Sequence, residues 1–456
     1  MIKYNIYKLK RGIIFNMDSS FTPDKITSVY LASMFTVFLL GFGDGGYANI
    51  AEAKLTLFFV INILYILSIA LSCRFLKNNG IEFPRKNFAP IKKAAYIFAA
   101  LYSLFTVVSA VISPHFPSTL IGASRYEGAL TITTYCVIFI LVSEFARPTK
   151  KLYFVFCAAV ILFDFICILQ LFGLNPLYLY PSGMNYYDAG VRYLGAYIGT
   201  IGNADFTAAF LCLSLPLFVF MINRQNKPQF IVSVSAFTLS LIVLIKINVS
   251  AALLGIFAAV LLMIPLLFKF TKKLCILYFA VVILLALTAF IIIRSVDFKP
   301  VLLHELHMIL NGTFSDAYGS GRIGIWRNVI GVIADAPVFG KGPDTMIFED
   351  IAPFTQYLPS TGKEVTSNID SAHNEYLNIL YHQGVIGLIS YLGLLGSVFA
   401  FLIKGMKRNR LSAALGICAA AYCVQAFFGI STVMSASFFW ICLGLICSDT
   451  GEAAFV

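Results

Sequence analysis

The chain reads as an all-α polytopic membrane protein with about twelve transmembrane helices and one long, partly helical loop outside the membrane. Three observations predict this. Hydrophobic residues make up 59% of the 456 and charged residues only 12%, with a mean hydropathy of +0.85. A soluble domain is about half apolar and a quarter charged, so there is too little polar surface here to cover a particle in water. Second, the apolar residues fall in runs of spanning length. Third, the basic residues alternate from one side of those runs to the other.

The runs lie near 26–42, 54–75, 93–113, 128–146, 152–172, 202–222, 230–248, 250–268, 274–294, 385–404, 410–429 and 431–447. Backbone polar groups in hydrocarbon must pair within the segment, which makes such runs helices. The first run follows a basic stretch (Lys3, Lys8, Lys10, Arg11, Lys25) and is long enough to stay as an anchor, with no cleavable signal evident. With the N-terminus placed in the cytoplasm, the cytoplasmic segments hold 5, 6, 3, 2, 3 and 4 Lys and Arg, or 23 of 33. The same division puts 15 of the 22 acidic residues on the other side. That asymmetry obeys the positive-inside rule and predicts both termini in the cytoplasm. The net charge of +11 is thereby a membrane-surface charge facing anionic lipid rather than a nucleic-acid surface. The ten cysteines sit in or beside apolar runs and read as small core hydrophobes.

This layout divides the chain into a bundle over 1–294, an extracytoplasmic loop over 295–384, and further spans with a short tail over 385–456. Within the loop, Val301–Leu310 and Ile323–Ile333 have helical apolar spacing, Gly340-Lys341-Gly342-Pro343 breaks the chain, and 372–383 reads as a helix with Asp370 or Ser371 as N-cap. A second outer connection, 173–201, is rich in Pro, Gly and Tyr.

The outer arginines Arg125, Arg192, Arg294, Arg322 and Arg327 stand where basic residues are depleted. The residues alone leave two readings open: snorkelling to headgroups or pairing with an acid such as Glu127, or a set of guanidinium forks for phosphate oxygens. His373, in Ser371-Ala372-His373-Asn374-Glu375-Tyr376, is either an amphipathic residue at a helix end or a base assisted by a nearby carboxylate. His304 and His307 lie one turn apart, with no third metal ligand evident. Asp164, alone in mid-span, reads as a hydrogen bond to a neighbouring helix, and Lys246 lies near the outer end of its span. No G-x-x-x-x-G-K-[ST], G-x-S-x-G or H-E-x-x-H occurs. Any reaction must draw its energy from the substrate.

Taken in order, Gly321-Arg322 to Trp326, Ala336-Pro337-Val338-Phe339-Gly340-Lys341-Gly342, His373-Asn374-Glu375-Tyr376-Leu377 and Gly384-Val385-Ile386-Gly387-Leu388 resemble the O-antigen ligase and polymerase superfamily. That family includes protein O-oligosaccharyltransferases and teichuronic-acid polymerases. Arg125 with Gly128, and Arg192 with Gly202-Asn203, resemble its other outer-face positions. The resemblance implies a GT-C-like fold in a bacterial cytoplasmic membrane, with the active site extracytoplasmic. It implies transfer of a glycan from a polyprenyl-pyrophosphate donor to a hydroxyl of a glycan, lipid or protein acceptor, with neither metal nor nucleotide cofactor. It assigns the base role to His373, with Glu375 beside it, and the pyrophosphate to Arg192 and Arg322, with Arg125 and Lys246 more peripheral. Asn203, Trp326, Asn374 and Tyr376 are supporting. The outer tyrosines Tyr178, Tyr180, Tyr186, Tyr187 and Tyr357 are available to stack on sugars. One departure stands out: members often carry Ser-Arg where this chain has Ser250-Ala251, so Lys246 would have to supply that charge. The residues outside these motifs leave a carrier or flippase open as a second reading, and a membrane sensor or scaffold as a third. A carrier would show symmetric halves with interrupted helices and polar groups at mid-membrane.

Overall fold

The computed structural model describes residues 22–80, 89–187, 197–358, 363–405 and 410–448. Each of the twelve apolar runs coincides with a helix. These are α1 (Pro23–Ser33, continued by a π-helical turn Met34–Phe38), α2 (Ile50–Asn78), α3 (Pro90–Ile112), α4 (Ala129–Phe145), α5 (Lys150–Leu171) and α6 (Ala204–Met221). Next come α7 (Lys227–Ile247), α8 (Ser250–Leu267) and α9 (Lys272–Ser295). After the long loop, α12 (Glu375–Gly405), α13 (Arg410–Ala426) and α14 (Val433–Ile446) complete the bundle. Among the described residues eight helices are long and apolar enough to cross a membrane; α4, α13, α14 and the loop helix Val301–Leu310 are shorter apolar helices. Within the loop lie α10 (Val301–Leu310) and α11 (Arg322–Ile333). A β-hairpin of β1 (Phe354–Leu358) and β2 (Lys363–Ser367) also forms there, antiparallel with Gln356 opposite Val365. The all-α expectation omitted this hairpin, although its strands carry the β-branched and aromatic residues that favour such pairing.

The bundle is built from helix pairs, chiefly α3 on α12, α6 on α13, α8 on α13, α4 on α14 and α5 on α7. One continuous apolar core fills it, with Phe38, Phe58, Phe139, Phe163, Phe210 and Phe439 fully buried. All ten cysteines are unpaired thiols. Asp164 accepts a hydrogen bond from Ser240 Oγ at 2.5 Å, which ties α5 to α7 as the interhelical reading expected. At one end of the bundle Lys92 pairs with Glu144 at 3.1 Å, and Arg410 donates to the Ile222 carbonyl at 3.3 Å. At the other end Ser113 donates to the Lys341 carbonyl, Ser124 to Asp344 and Ser431 to Glu127, which draws three distant segments together.

The way the long loop enters the bundle explains its glycine motif. Span 385–404 does not begin afresh; it continues the preceding helix across a break at Gly384 (φ 69°, ψ −171°). The segment 337–342, a turn followed by irregular chain, lies in that break. Val385 N–H donates to the Pro337 carbonyl at 2.8 Å, while Lys341 and Gly342 N–H donate to the Tyr381 and His382 carbonyls at 3.0 and 3.1 Å. The interruption thus leaves these backbone groups paired, as low-dielectric surroundings require. The approach is so close that a Cβ on Gly340 would strike the His382 backbone, and one on Gly384 would strike the Val338 carbonyl. Both glycines also have positive φ, at 71° and 69°. A small core of Ile325, Val329, Met346, Ile369, Ala372 and Tyr381 then fastens α11 over the top of α12.

Candidate active site

The site forms where the loop meets the ends of α4, α6 and α12. Asp344 directs one wall of it. Its Oδ2 accepts the backbone N–H groups of Ser124, Arg125 and Tyr126 at 2.9, 2.8 and 3.0 Å, and its Oδ1 accepts Ser124 Oγ at 3.0 Å. A buried carboxylate with that many donors is satisfied and rigid. It fixes the backbone that carries Arg125, although the two residues are more than two hundred positions apart. Arg125 then pairs with Asp370, Nη2 lying 3.1 and 2.8 Å from the two carboxylate oxygens. An acid neighbour was one of the two readings of Arg125, but Glu127 is not that neighbour. The carboxylate of Glu127 accepts from Tyr135 at 2.8 Å and Ser431 at 3.4 Å, and burial pushes its carboxyl well above the usual range.

Arg322 opens α11 and donates from Nη1 to the Gly319 carbonyl at 3.1 Å. Both Arg125 and Arg322 keep a buried Nε–H with no partner among the described residues. Unpaired buried donors on a cation are costly and mark a place where an acceptor is wanted. Asp205, in the first turn of α6, lies within electrostatic reach of both guanidinium groups.

His373 adopts a left-handed backbone (φ 47°), a conformation that costs a non-glycine residue energy and needs its surroundings to impose it. They do so through a knot: Asn378 Nδ2 donates to Ser371 Oγ at 2.9 Å, and Asn378 Oδ1 accepts Ala372 N–H at 2.7 Å. Trp326 Nε1 donates to the Ala372 carbonyl at 2.9 Å, which binds α11, and with it Arg322, to the His373 turn. The N-cap of α12 is Asn374, whose Oδ1 accepts Leu377 N–H at 3.0 Å. Asp370 and Ser371, the expected caps, are engaged instead with Arg125 and with the knot, and the helix starts at Glu375. The imidazole is pushed down to about 4 by burial first, then by Arg322 and Arg125, with Asp370 opposing. The two arginines and the histidine therefore share one electrostatic neighbourhood, and the imidazole is neutral at pH 7.

The remaining predicted residues divide. Arg192 lies outside the described residues. Asn203 is the N-cap of α6, its Oδ1 accepting Asp205 and Phe206 N–H at 2.8 and 3.4 Å. Tyr376 donates to the Cys423 carbonyl at 2.9 Å. Glu375 points into the bundle, accepting hydrogen bonds from Tyr391 and, at 3.3 Å, from Tyr422; the carboxylate acting on His373 is Asp370. Lys246 is exposed at the last turn of α7 and is not among the charges acting on His373. Tyr180 is buried against Tyr47, ring centroids 4.8 Å apart, and is therefore closed to sugars, whereas Tyr178 and Tyr187 are exposed. The side chain of Tyr357 lies outside the described residues. His304 and His307 face separate partners, Asp297 Oδ1 at 2.6 Å and the Ile293 carbonyl at 2.8 Å. Sequence reasoning missed Asp205 and Asp344 and gave Asp370 only a capping role. Three acids on the arginine-bearing face were the available signal.

Comparison with known proteins adds two findings. An uncharacterised protein of Haemophilus influenzae is 28% identical over 90 residues, a match that spans 20% of this chain and 22% of that protein. Residues 234–392 match the family described as O-Antigen ligase. That interval runs from α7 past the Gly384 break and contains Arg322, the glycine clamp and His373, the same stretch whose order of motifs and mutual contacts make one unit. That segment of the chain is similar to the O-antigen ligase family.

Proposed function

We propose that this protein transfers a glycan from a polyprenyl-pyrophosphate carrier to an acceptor hydroxyl at the extracytoplasmic face of a bacterial cytoplasmic membrane, as a ligase or polymerase of surface polysaccharide. The carrying observation is that two guanidinium groups with unpaired buried N–H donors surround a neutral imidazole. In this reading the chain crosses the membrane twelve times with both termini in the cytoplasm, and 295–384 is the extracytoplasmic loop, consistent with its charge asymmetry. The match of 234–392 to the O-Antigen ligase family supports a lipid-linked donor.

The chemistry follows from the charges. His373, neutral at pH 7, takes the proton of the acceptor hydroxyl as its oxygen forms a bond to the anomeric carbon. The bond from that carbon to the pyrophosphate oxygen breaks, and the negative charge gathering on the leaving group is met by Arg322 and Arg125, with Arg192 as a third donor. Stabilising charge as it develops, in surroundings that exclude water, is where such groups contribute most. Asp370 holds Arg125 and opposes the burial and positive potential that together keep His373 neutral. Glu375 acts as a support: its carboxylate fixes the start of α12 through Tyr391 and Tyr422 and leaves the proton transfer to His373. Asn374 caps that helix and Trp326 holds the turn.

The test is glycan chain-length analysis in a deletion strain complemented with wild type, His373→Ala or Arg322→Ala. Wild type alone is expected to restore long surface glycan. Restoration by both variants at normal expression would remove the assignment.

A further inference from the structure

Arg322 is oriented by a part of the molecule that barely belongs to the bundle. Its guanidinium donates to the carbonyl of Gly319 at 3.1 Å, and the N–H of the same Gly319 donates to Glu305 Oε2 on α10 at 3.0 Å. Between them the chain passes through Gly319, Ser320 and Gly321, three consecutive residues with left-handed φ of 64°, 59° and 82°. Ser320 is there at a steric cost, and a turn of this kind has alternative conformations of similar energy unless something outside it selects one. Glu305 is the group from another element that grips it. α10 is tied in turn to α9: His307 Nδ1 lies 2.8 Å from the Ile293 carbonyl, Asn311 Nδ2 donates to the Arg294 carbonyl at 2.9 Å, and His304 meets Asp297. α9 itself has no buried residue, and the hydrogen bond it makes to the bundle runs from Tyr278 Oη to the Leu261 carbonyl of α8 at 3.1 Å. The backbone of Arg322 is anchored on the bundle side through Trp326, while its guanidinium takes direction from the α9–α10 arm.

We propose that Glu305 is a positioning residue for Arg322: by accepting the Gly319 N–H it holds the residue whose carbonyl, in the next peptide unit, aims the guanidinium, so that the free Nε edge faces the diphosphate of the donor lipid. The inference rests on the diphosphate reading of the site. It also makes the lone helix α9 a lever on that site, because displacing α9 laterally in the bilayer carries α10, Glu305 and the Gly319 turn with it.

The experiment measures binding of farnesyl pyrophosphate, a short prenyl diphosphate, to the detergent-purified full chain. The variants are E305A, E305Q, R322A and E305A/R322A. Loss of a charge-assisted hydrogen bond that aims a charged donor is expected to weaken binding about tenfold in E305A. E305Q keeps an acceptor oxygen at the same reach and is expected to stay within about twofold of wild type. In the R322A background E305A should change nothing further, since residues acting through one another are not additive. Should E305A fail to yield monodisperse protein, E305M, which preserves the length of the stem, takes its place. Multiplying effects of E305A and R322A would overturn the positioning role while leaving the diphosphate site standing, and so would E305Q as weak as E305A. Wild-type binding by R322A would remove the diphosphate reading itself, and the positioning role with it.

Discussion

α6 and α9 are both helices of spanning length, and they meet different surroundings. In α6 only Ala204, Asp205 and Val219 escape burial, while in α9 no residue is buried. Their mean hydropathies run the opposite way to the habit of soluble proteins: 1.9 for the buried helix and 3.1 for the bare one. In a bilayer the apolar solvent lies outside, so the most apolar helix is the one with most lipid contact. The buried helix can include Thr207, Ser214 and Pro216, because neighbouring helices accommodate polar groups and a proline that lipid would not. Around α6 collect the groups of the site, Asp205 at its first turn and Asn203 at its cap. From α9 extends the arm that ends at Glu305. One region is packed on nearly every side, and the other has few contacts with the bundle.

Substitutions should respect this difference. The largest effect is expected at the packed side: His373→Ala should lower kcat/KM for glycan transfer by about 100- to 10,000-fold, the usual contribution of a proton acceptor, with normal amounts of folded protein. Next, Gly384→Ala should cost about 3 kcal/mol or more, combining left-handed strain with a clash in a close-packed joint. It should be seen as a fall in thermal stability in detergent and loss of activity together. Phe210, whose ring packs on Phe163 and Phe438 at 5.8 and 4.8 Å, should cost about 3 kcal/mol when truncated to Ala. The same truncation of lipid-facing Ile283 in α9 should change stability by no more than about 0.5 kcal/mol. If Ile283→Ala destabilised as much as Phe210→Ala, α9 would be packed against something, and the contrast would fail.

The acid limb of the pH profile sharpens the comparison further. A base held down to about 4 stays unprotonated above that value, so kcat/KM should be level from neutral pH down to near 5 and fall by half near pH 4. Asp370 is the group that raises the imidazole against the two arginines. Asp370→Asn should therefore shift the limb to lower pH, a smaller change than any above. A limb near the ordinary histidine value of about 6.5 would mean that neither burial nor the arginines lower the imidazole.

How much of this was legible beforehand differs between span and site. Every spanning helix announced itself through hydropathy, and the interhelical bond of Asp164 followed from the scarcity of charges in mid-span. The hairpin at 354–367 did not, because short strands inside a loop carry a weak local signal. The site was half legible. Arg322 and His373 stood out by residue type, on a face where positive charge is scarce, and by the order of motifs around them. Asp344 did not, since its role consists of hydrogen bonds to three amides two hundred residues earlier. Nor did the misassigned cap: Asp370, Ser371 and Asn374 are all good cap residues, and which of them caps depends on what else the first two hold.

By itself, the sequence determined that this is a membrane bundle and which segments form it, because lipid enforces helix on any long apolar stretch through local backbone pairing. It also marked the segments that supply the candidate site, since uncommon residue types in a set order are a matter of composition and order. Only the tertiary structure decided which acid pairs with Arg125, that Glu375 faces the tyrosines, that Gly384 lets the loop into a helix, and that α9 stands apart. Those outcomes depend on contacts between residues distant along the chain, and such contacts are settled by packing, which no local pattern records.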